Sequence, residues 1–113
     1  MHNIKTAWVY ILECGDGSYY TGSTTDLETR IAKHQAGFYG GYTAARLPIK
    51  LIWSAEFPEI KQAIVVEWQI KGWSHKKKEA LIQGDFDLLH ALAQSREMKG
   101  RRNRKGRRVT AGE

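Results

Sequence analysis

The chain has 113 residues, which allows one small domain and excludes a large multidomain enzyme. Hydrophobic residues make up 42% of it, enough for a packed core and too many for a disordered protein. No apolar run is long enough to cross a membrane and no signal peptide is evident, so we expect a cytoplasmic protein without membrane contacts.

Positive charge is concentrated at the C-terminal end. The formal net charge is +6, and residues 97–113 hold seven Lys/Arg and two Glu, or +5, which leaves +1 for residues 1–96. We predict a folded domain over 1–96 and a basic tail over 97–113 that is disordered when alone. Cys14 is the only cysteine, which excludes an intramolecular disulfide and a Cys-rich zinc site.

Three strands are predicted. Thr6–Cys14 is apolar on both faces, which is typical of a central strand, and Gly15–Gly17 forms a turn that returns the chain through Ser18–Ser23. Ile49–Phe57 alternates apolar and polar residues and supplies the third strand. We predict an α+β fold with a small, three-stranded, mainly antiparallel sheet flanked by helices.

The helices follow from caps and apolar spacing. Thr25 and Glu28 have the spacing of a capping box, for a helix that Gly37 ends. Residues 37–48 are predicted to be an irregular loop, and Pro58 to lie in the first turn of a helix that runs to about Trp73. Ser74 and Asp85 are candidate caps of two shorter helices, the second ending at Ser95.

Five polar residues then stand in a distinctive order. Tyr10 and Tyr20 lie on the two arms of the hairpin, opposite or diagonal to each other. Arg30 and His34 are four residues apart on the first helix and are therefore neighbours on its surface. Glu67 interrupts the apolar surface of the long helix. Each residue alone also has an ordinary explanation. These explanations are sheet packing for the tyrosines, solvent exposure for Arg30, a structural or solvent-facing position for His34, and an i,i+4 pair with Lys71 for Glu67.

This order resembles the GIY-YIG nuclease superfamily, over about residues 5–83. The first motif stands as Trp8-Val9-Tyr10 and the second as Tyr20-Thr21-Gly22, with Trp8 in place of a glycine and Thr21 in place of an isoleucine. The likeness is strongest to small stand-alone bacterial members, many without an established function. It implies a metal-dependent endonuclease, with Tyr10, Tyr20, Arg30 and His34 as catalytic residues and Glu67 as the metal ligand.

The chemistry of phosphodiester cleavage suits these residue types. Arg30 offers a planar, permanently charged fork for phosphate oxygens, and Glu67 could hold a single Mg²⁺ or Mn²⁺ ion. Tyr10 would activate the attacking water, but its usual pKa is about 10, so nearby cations must lower that pKa or the proton must pass to another group. Tyr20 could bind phosphate or share the proton, and His34 could contact phosphate, orient a tyrosine or relay a proton.

Nucleic acid is the expected partner, DNA more than RNA, with a protein partner or a homodimer as a possible source of specificity. The tail cations would add salt-sensitive affinity without sequence preference. Thr43 and Arg46 lie in a loop that could face the substrate. The predicted nucleic-acid-binding residues are Arg46, Lys71, Lys99, Arg101, Arg102, Arg104, Lys105, Arg107 and Arg108. The alternatives are a catalytically silent nucleic-acid-binding module of the same fold and a protein-interaction adaptor.

Overall fold

The computed structural model describes residues 6–92 and confirms the predicted α+β fold. A three-stranded sheet is flanked by helices, and residues 86–92 are also helical. In chain order the elements are β1 (Ala7–Glu13), β2 (Tyr19–Thr24), α1 (Leu27–Gln35), α2 (Gly41–Ala44), β3 (Lys50–Phe57), α3 (Ile60–Lys71) and α4 (His75–Gln83).

Strand β1 occupies the centre of the sheet, as its apolar sequence predicts. The strand order is β2-β1-β3 and both pairings are antiparallel. Val9 and Ile11 are fully buried on one face, and Tyr10 and Leu12 are fully buried on the other. Because strand side chains alternate between faces, burial on both sides requires a covering layer on each face of the sheet.

Helix α1 covers the face that carries Tyr10 and Leu12. Ile31 of this helix is buried in one cluster with those two residues, and Leu27 packs against it. Its cap differs from the predicted capping box. Asp26, and not Thr25, is the N-cap, and its carboxylate accepts a hydrogen bond from the Thr29 N–H at 3.3 Å. An Asp cap closer to the first turn also complements the helix dipole.

The predicted end of α1 is confirmed. Gly37 has φ +73°, a left-handed conformation that favours glycine. Its N–H donates to the His34 carbonyl at 3.0 Å, and the N–H of Phe38 donates to the Lys33 carbonyl at 2.9 Å. These two bonds form a Schellman motif, which satisfies carbonyls that the end of the helix would leave unpaired.

Two further boundaries differ from the predictions. The segment 37–48 is not wholly irregular, because it contains the short helix α2. Pro58 precedes α3 and does not lie in its first turn, since Glu59 is the N-cap. The predicted cap at Asp85 is confirmed, because its carboxylate accepts from the Leu88 N–H at 3.1 Å. The predicted end of that helix at Ser95 lies outside the described residues.

The chain divides into two compact units, Met1–His75 and the residues from Lys76 onward. The first unit holds the sheet with α1, α2 and α3, and the second holds most of α4 and the helical residues 86–92. The predicted boundary at residue 96 and the basic tail lie outside the described residues and stay predictions. In residues 6–92, no helix has the length and apolar character that crossing a membrane requires.

Candidate active site

Tyr10 and Tyr20 lie diagonally across the β1–β2 ladder, as the hairpin predicts. Tyr10 is opposite Gly22, and Leu12 is opposite Tyr20, so both tyrosines are on the α1 face of the sheet. The Tyr10 ring passes directly over Gly22, where a Cβ would overlap both its hydroxyl and its Cζ. The Tyr10 ring of the first motif therefore needs a residue without a side chain at position 22, in the second motif.

His34 projects from α1 towards the hydroxyl of Tyr10 and is itself buried. Its Nε2 lies 3.1 Å from the Tyr10 hydroxyl oxygen, and its Nδ1 lies 2.9 Å from Oγ1 of Thr43. Burial first, and then the charge of Arg30, lower the pKa of His34 from 6.5, which favours the neutral ring at pH 7. A neutral ring that accepts from Tyr10 at Nε2 carries its proton on Nδ1 and donates it to Thr43.

Thr43 therefore has a different role from the one its loop position suggests. It lies in the short helix α2, where it is buried and hydrogen-bonded to His34, and not on an exposed loop surface. The sequence contains a signal for this contact only in retrospect: Thr43 is a small polar residue nine positions after His34. We class it as a positioning residue, since it fixes which nitrogen of His34 faces Tyr10.

The environment of Tyr10 raises the pKa of its phenol to about 12. Burial is the main cause, followed by the neighbouring Tyr20, while the positive charge of Arg30 acts in the opposite direction. Of the two routes open from sequence, cations that lower the pKa and transfer of the proton to another group, the structure opposes the first. The second has an acceptor in place, because His34 Nε2 lies within hydrogen-bond distance.

Arg30 and Tyr20 complete the cluster around Tyr10. The charge of Arg30 acts on the pKa of both Tyr10 and His34, and its Cζ lies 5.2 Å from the ring centroid of Tyr39. The ring of Tyr20 is 5.2 Å from that of His34. Tyr10 has no exposed surface, whereas Tyr20 and Arg30 are partly exposed. These two side chains therefore provide the solvent-facing side of the cluster.

Glu67 contacts β2 at the residue that follows Gly22. It projects from α3 and accepts a short hydrogen bond from Oγ of Ser23, the residue after Gly22. Ser23 faces the opposite side of the sheet from Gly22, because strand side chains alternate. The negative charge of Glu67 nevertheless contributes to the raised pKa of Tyr10. Sequence reasoning missed Ser23, which no local pattern links to a residue 44 positions away.

Two of the predicted nucleic-acid contacts have partners inside the protein. The ammonium of Lys71 lies 2.6 Å from the second carboxylate oxygen of Glu67, which is the i,i+4 pair anticipated from sequence. The guanidinium of Arg46 pairs with Asp16 at 3.1 Å and donates to the Tyr42 carbonyl at 3.1 Å. The other predicted contacts, from Lys99 to Arg108, lie outside the described residues.

The carboxylate of Glu67 is a hard oxygen donor of the kind that Mg²⁺ prefers. Within residues 6–92, no group of three or more His, Cys, Asp or Glu side chains is arranged to hold a metal. Mg²⁺ commonly binds through one or two carboxylates, with waters and substrate phosphate completing its shell. The Glu67 side chain is 12% exposed and is oriented by Ser23, so it can offer an oxygen once Lys71 moves aside.

Comparison with known proteins identifies the family. The model of the GIY-YIG catalytic domain matches residues 6–80. The chain belongs to the GIY-YIG family. Two similar relatives are UPF0213 protein BH0048 of Halalkalibacterium halodurans, 47% identical over 66% of this chain and 80% of its own, and a UPF0213 protein of Streptococcus sanguinis, 47% identical over 68% and 88%. The solution structure of the E. faecalis protein EF2693 is 33% identical, covers 78% of this chain and 93% of its own, and has a TM-score of 0.51.

The two departures from the GIY-YIG motifs lie beside the cluster and not within it. Trp8 lines a cavity of about 640 Å³ between α1 and the sheet, together with Leu27, Ile31 and Leu51. Thr21 is buried on the opposite face from Tyr20, and its hydroxyl has no hydrogen-bond partner among the described residues. Both substitutions therefore leave the contacts of Tyr10 with Gly22 and His34 intact.

Proposed function

We propose that this GIY-YIG protein is an endonuclease that hydrolyses phosphodiester bonds in DNA and requires Mg²⁺ or Mn²⁺. The observation that carries the proposal is the position of the Tyr10 hydroxyl, seated on Gly22 and within 3.1 Å of a buried His34. A buried phenol needs a hydrogen-bond partner in any case, but His34 is a partner that can also accept its proton. In this proposal, Nε2 of His34 accepts the phenol proton of Tyr10.

A proton relay follows from this pair. With a pKa of about 12, only about one Tyr10 in 10⁵ is ionised at pH 7, too few for a free phenolate to act as the base. In the relay, the attacking water loses a proton to the Tyr10 oxygen while the phenol proton passes to Nε2 of His34. One O–H bond breaks as another forms on the phenol, and His34 becomes the imidazolium. Thr43 holds Nδ1 throughout.

Arg30 and an ion held by Glu67 would neutralise the negative charge at the scissile phosphate. Arg30 offers two donors to phosphoryl oxygens as negative charge builds on them. Glu67 would hold the divalent ion, which when bound supplies further charge neutralisation at the phosphate. Ser23 keeps the Glu67 carboxylate in place. Because Tyr10 is fully buried, we infer that a phosphate draws Arg30 from its position over Tyr39 and opens a path for water past Tyr20.

The partner and location are part of the same proposal. The net charge of +6 suits a polyanion, and a nuclease of this kind would act on DNA in the cytoplasm. The basic residues from 97 onward would add affinity without sequence preference. Specificity would then come from substrate structure or from a protein partner or second copy.

A second candidate function is nucleic-acid binding without hydrolysis. Two observations favour it: Tyr10 has no exposed surface and a raised pKa, and Lys71 already pairs with the carboxylate that would hold the ion. Such a module would bind DNA equally well with and without a divalent ion. Turnover therefore separates the two candidates.

The test is cleavage of supercoiled, single-stranded and branched DNA with Mg²⁺, with Mn²⁺ and with chelator. We expect cleavage that requires the ion, and a loss of about 100-fold or more in Arg30→Ala and Glu67→Gln with DNA binding retained. Glu56→Gln, which changes an exposed carboxylate on β3, is the matched control. No cleavage by the wild-type protein, or equal cleavage by both site variants and the control, would contradict the proposal.

A further inference from the structure

Three aromatic side chains are exposed on the segment that follows α1. Phe38 is 66% exposed, Tyr39 43% and Tyr42 41%. Single exposed apolar residues are common on protein surfaces, but a contiguous group of large ones usually marks an interaction site. We refer to Phe38, Tyr39 and Tyr42 as the aromatic platform.

Each ring of the aromatic platform has a cation over it. These pairs, with the distance from the cation to the ring centroid, are Lys33 with Phe38 at 4.8 Å, Arg30 with Tyr39 at 5.2 Å, and Arg46 with Tyr42 at 3.8 Å. A surface built to bind an apolar protein segment would gain nothing from a positive charge at every ring. Alternating π-faces and cations instead match a ligand that alternates bases and phosphates.

The aromatic platform adjoins the candidate active site. The ring of Tyr39 lies 4.8 Å from that of His34, and the ring of Tyr42 lies 6.0 Å from that of Tyr20. Phe38 meets Tyr39 edge to face at 5.3 Å and forms the outer end of the group. A strand with its phosphate at Arg30 would therefore bring the adjoining nucleotides over these rings.

We propose that the aromatic platform stacks unpaired bases, so that the substrate of this site is single-stranded DNA or a single-stranded segment beside a duplex. The inference rests on the proposed hydrolytic function and adds its substrate class. Bases in a duplex are stacked on each other and present only their edges, so the rings gain nothing from them. Unpaired bases have free π-faces, and each can stack on an aromatic side chain.

The test measures binding in chelator, where no cleavage can occur. A labelled oligonucleotide of mixed sequence is titrated with the full chain, once as a single strand and once annealed to its complement, at about 0.15 M salt to weaken nonspecific phosphate contacts. Phe38→Ala and Tyr42→Leu remove one ring each. Phe86→Ala is the matched control, because Phe86 has the same 66% exposure and lies in the other unit of the chain.

We expect the wild-type protein to prefer the single strand. Loss of either platform ring should raise the Kd for the single strand at least about fivefold and leave that for the duplex within about twofold. Phe38→Trp should restore the affinity that Phe38→Ala loses, whereas Phe38→Leu should not. Equal affinity of the wild-type protein for both forms, or a Phe38→Ala protein indistinguishable from Phe86→Ala, would overturn the inference.

The same samples with Mg²⁺ added test the proposed function separately. Ring-dependent binding of the single strand without any cleavage supports the aromatic platform and refutes hydrolysis. Cleavage of duplex and single strand at equal rates, with binding that no ring variant alters, supports hydrolysis and refutes the aromatic platform. The two failures therefore give different results.

Discussion

Gly22→Ala is the substitution that tests the architecture of the site most directly. The backbone of Gly22 does not need a left-handed conformation, so an alanine there meets a steric problem only. Its Cβ would overlap the hydroxyl and the Cζ of Tyr10, and Tyr10 is fully buried against α1 and cannot retreat freely. Overpacking of this kind costs about 1–3 kcal/mol, which for a domain of this size lowers Tm by roughly 10 °C.

The same shift should carry the Tyr10 hydroxyl away from His34. A misplacement of about 1 Å can cost about 100-fold in rate, so cleavage should fall more than the loss of folded protein explains. Urea unfolding followed by tryptophan fluorescence gives the stability, and DNA cleavage under folding conditions gives the rate. Gly72→Ala is the matched control, because its Cβ would meet only ordinary contacts, the nearest at 3.6 Å. If Gly22→Ala is as stable and as active as Gly72→Ala, the close packing of Tyr10 on Gly22 is wrong.

Three further predictions follow from the neighbours of the two ionisable side chains His34 and Glu67. Thr43→Val leaves Nδ1 of buried His34 without a partner, so it should lower the free energy of unfolding by about 1–3 kcal/mol and slow cleavage. Thr29→Val, on the exposed face of α1, should change neither quantity. Equal effects of the two substitutions would refute the positioning role. Lys71→Met frees the carboxylate of Glu67. It should lower the Mg²⁺ concentration for half-maximal cleavage about twofold, because the Lys71 side chain is 47% exposed and holds Glu67 only weakly. An unchanged or higher midpoint would show that Lys71 does not compete with the ion. The pKa of His34 is lowered from 6.5 in the folded protein, so the contribution of His34 to stability is present above pH 6.5 and is lost as the pH falls below that value. Urea midpoints measured at decreasing pH should therefore fall less steeply for His34→Gln than for the wild type. Parallel curves for the two proteins would contradict this prediction.

Much of the fold follows from the sequence because the local patterns are strong. The two-sided apolar character of Ala7–Glu13 predicts a central strand, and Gly37 predicts the end of α1. The N-cap of α1 could not be chosen in the same way. Three consecutive polar residues are candidates for the cap: Thr24, Thr25 and Asp26. Oγ1 of Thr24 instead accepts a hydrogen bond from the Asp26 N–H at 3.0 Å. Which of them becomes the cap depends on the residue at which β2 ends.

In the candidate site, the sequence predicts where the residues lie but not how they ionise. The hairpin register pairs Tyr10 with Tyr20, and the helix repeat pairs Arg30 with His34; both are short-range relations that sequence spacing determines. Packing of α1 on the sheet then brings the two pairs together. Their ionisation is different, because burial depends on the whole fold. From sequence, two routes stay open for Tyr10, cations that lower its pKa and transfer of its proton to another group. In the folded protein, desolvation outweighs Arg30 and the pKa rises.

The raised pKa of Tyr10 and the stability of the sheet have one origin. Tyr10 lies in the middle of the central strand, so the layer that buries it for folding also removes the water that would stabilise its phenolate. An exposed tyrosine would ionise more readily but would lack a fixed position over Gly22 and an oriented partner in His34. A relay from phenol to imidazole resolves this conflict, since neither group carries a full charge until the water reacts. The buried pair is thus compatible with hydrolysis only if the proton moves through His34, and for that reason the position of His34 matters more to the proposed activity than the acidity of Tyr10.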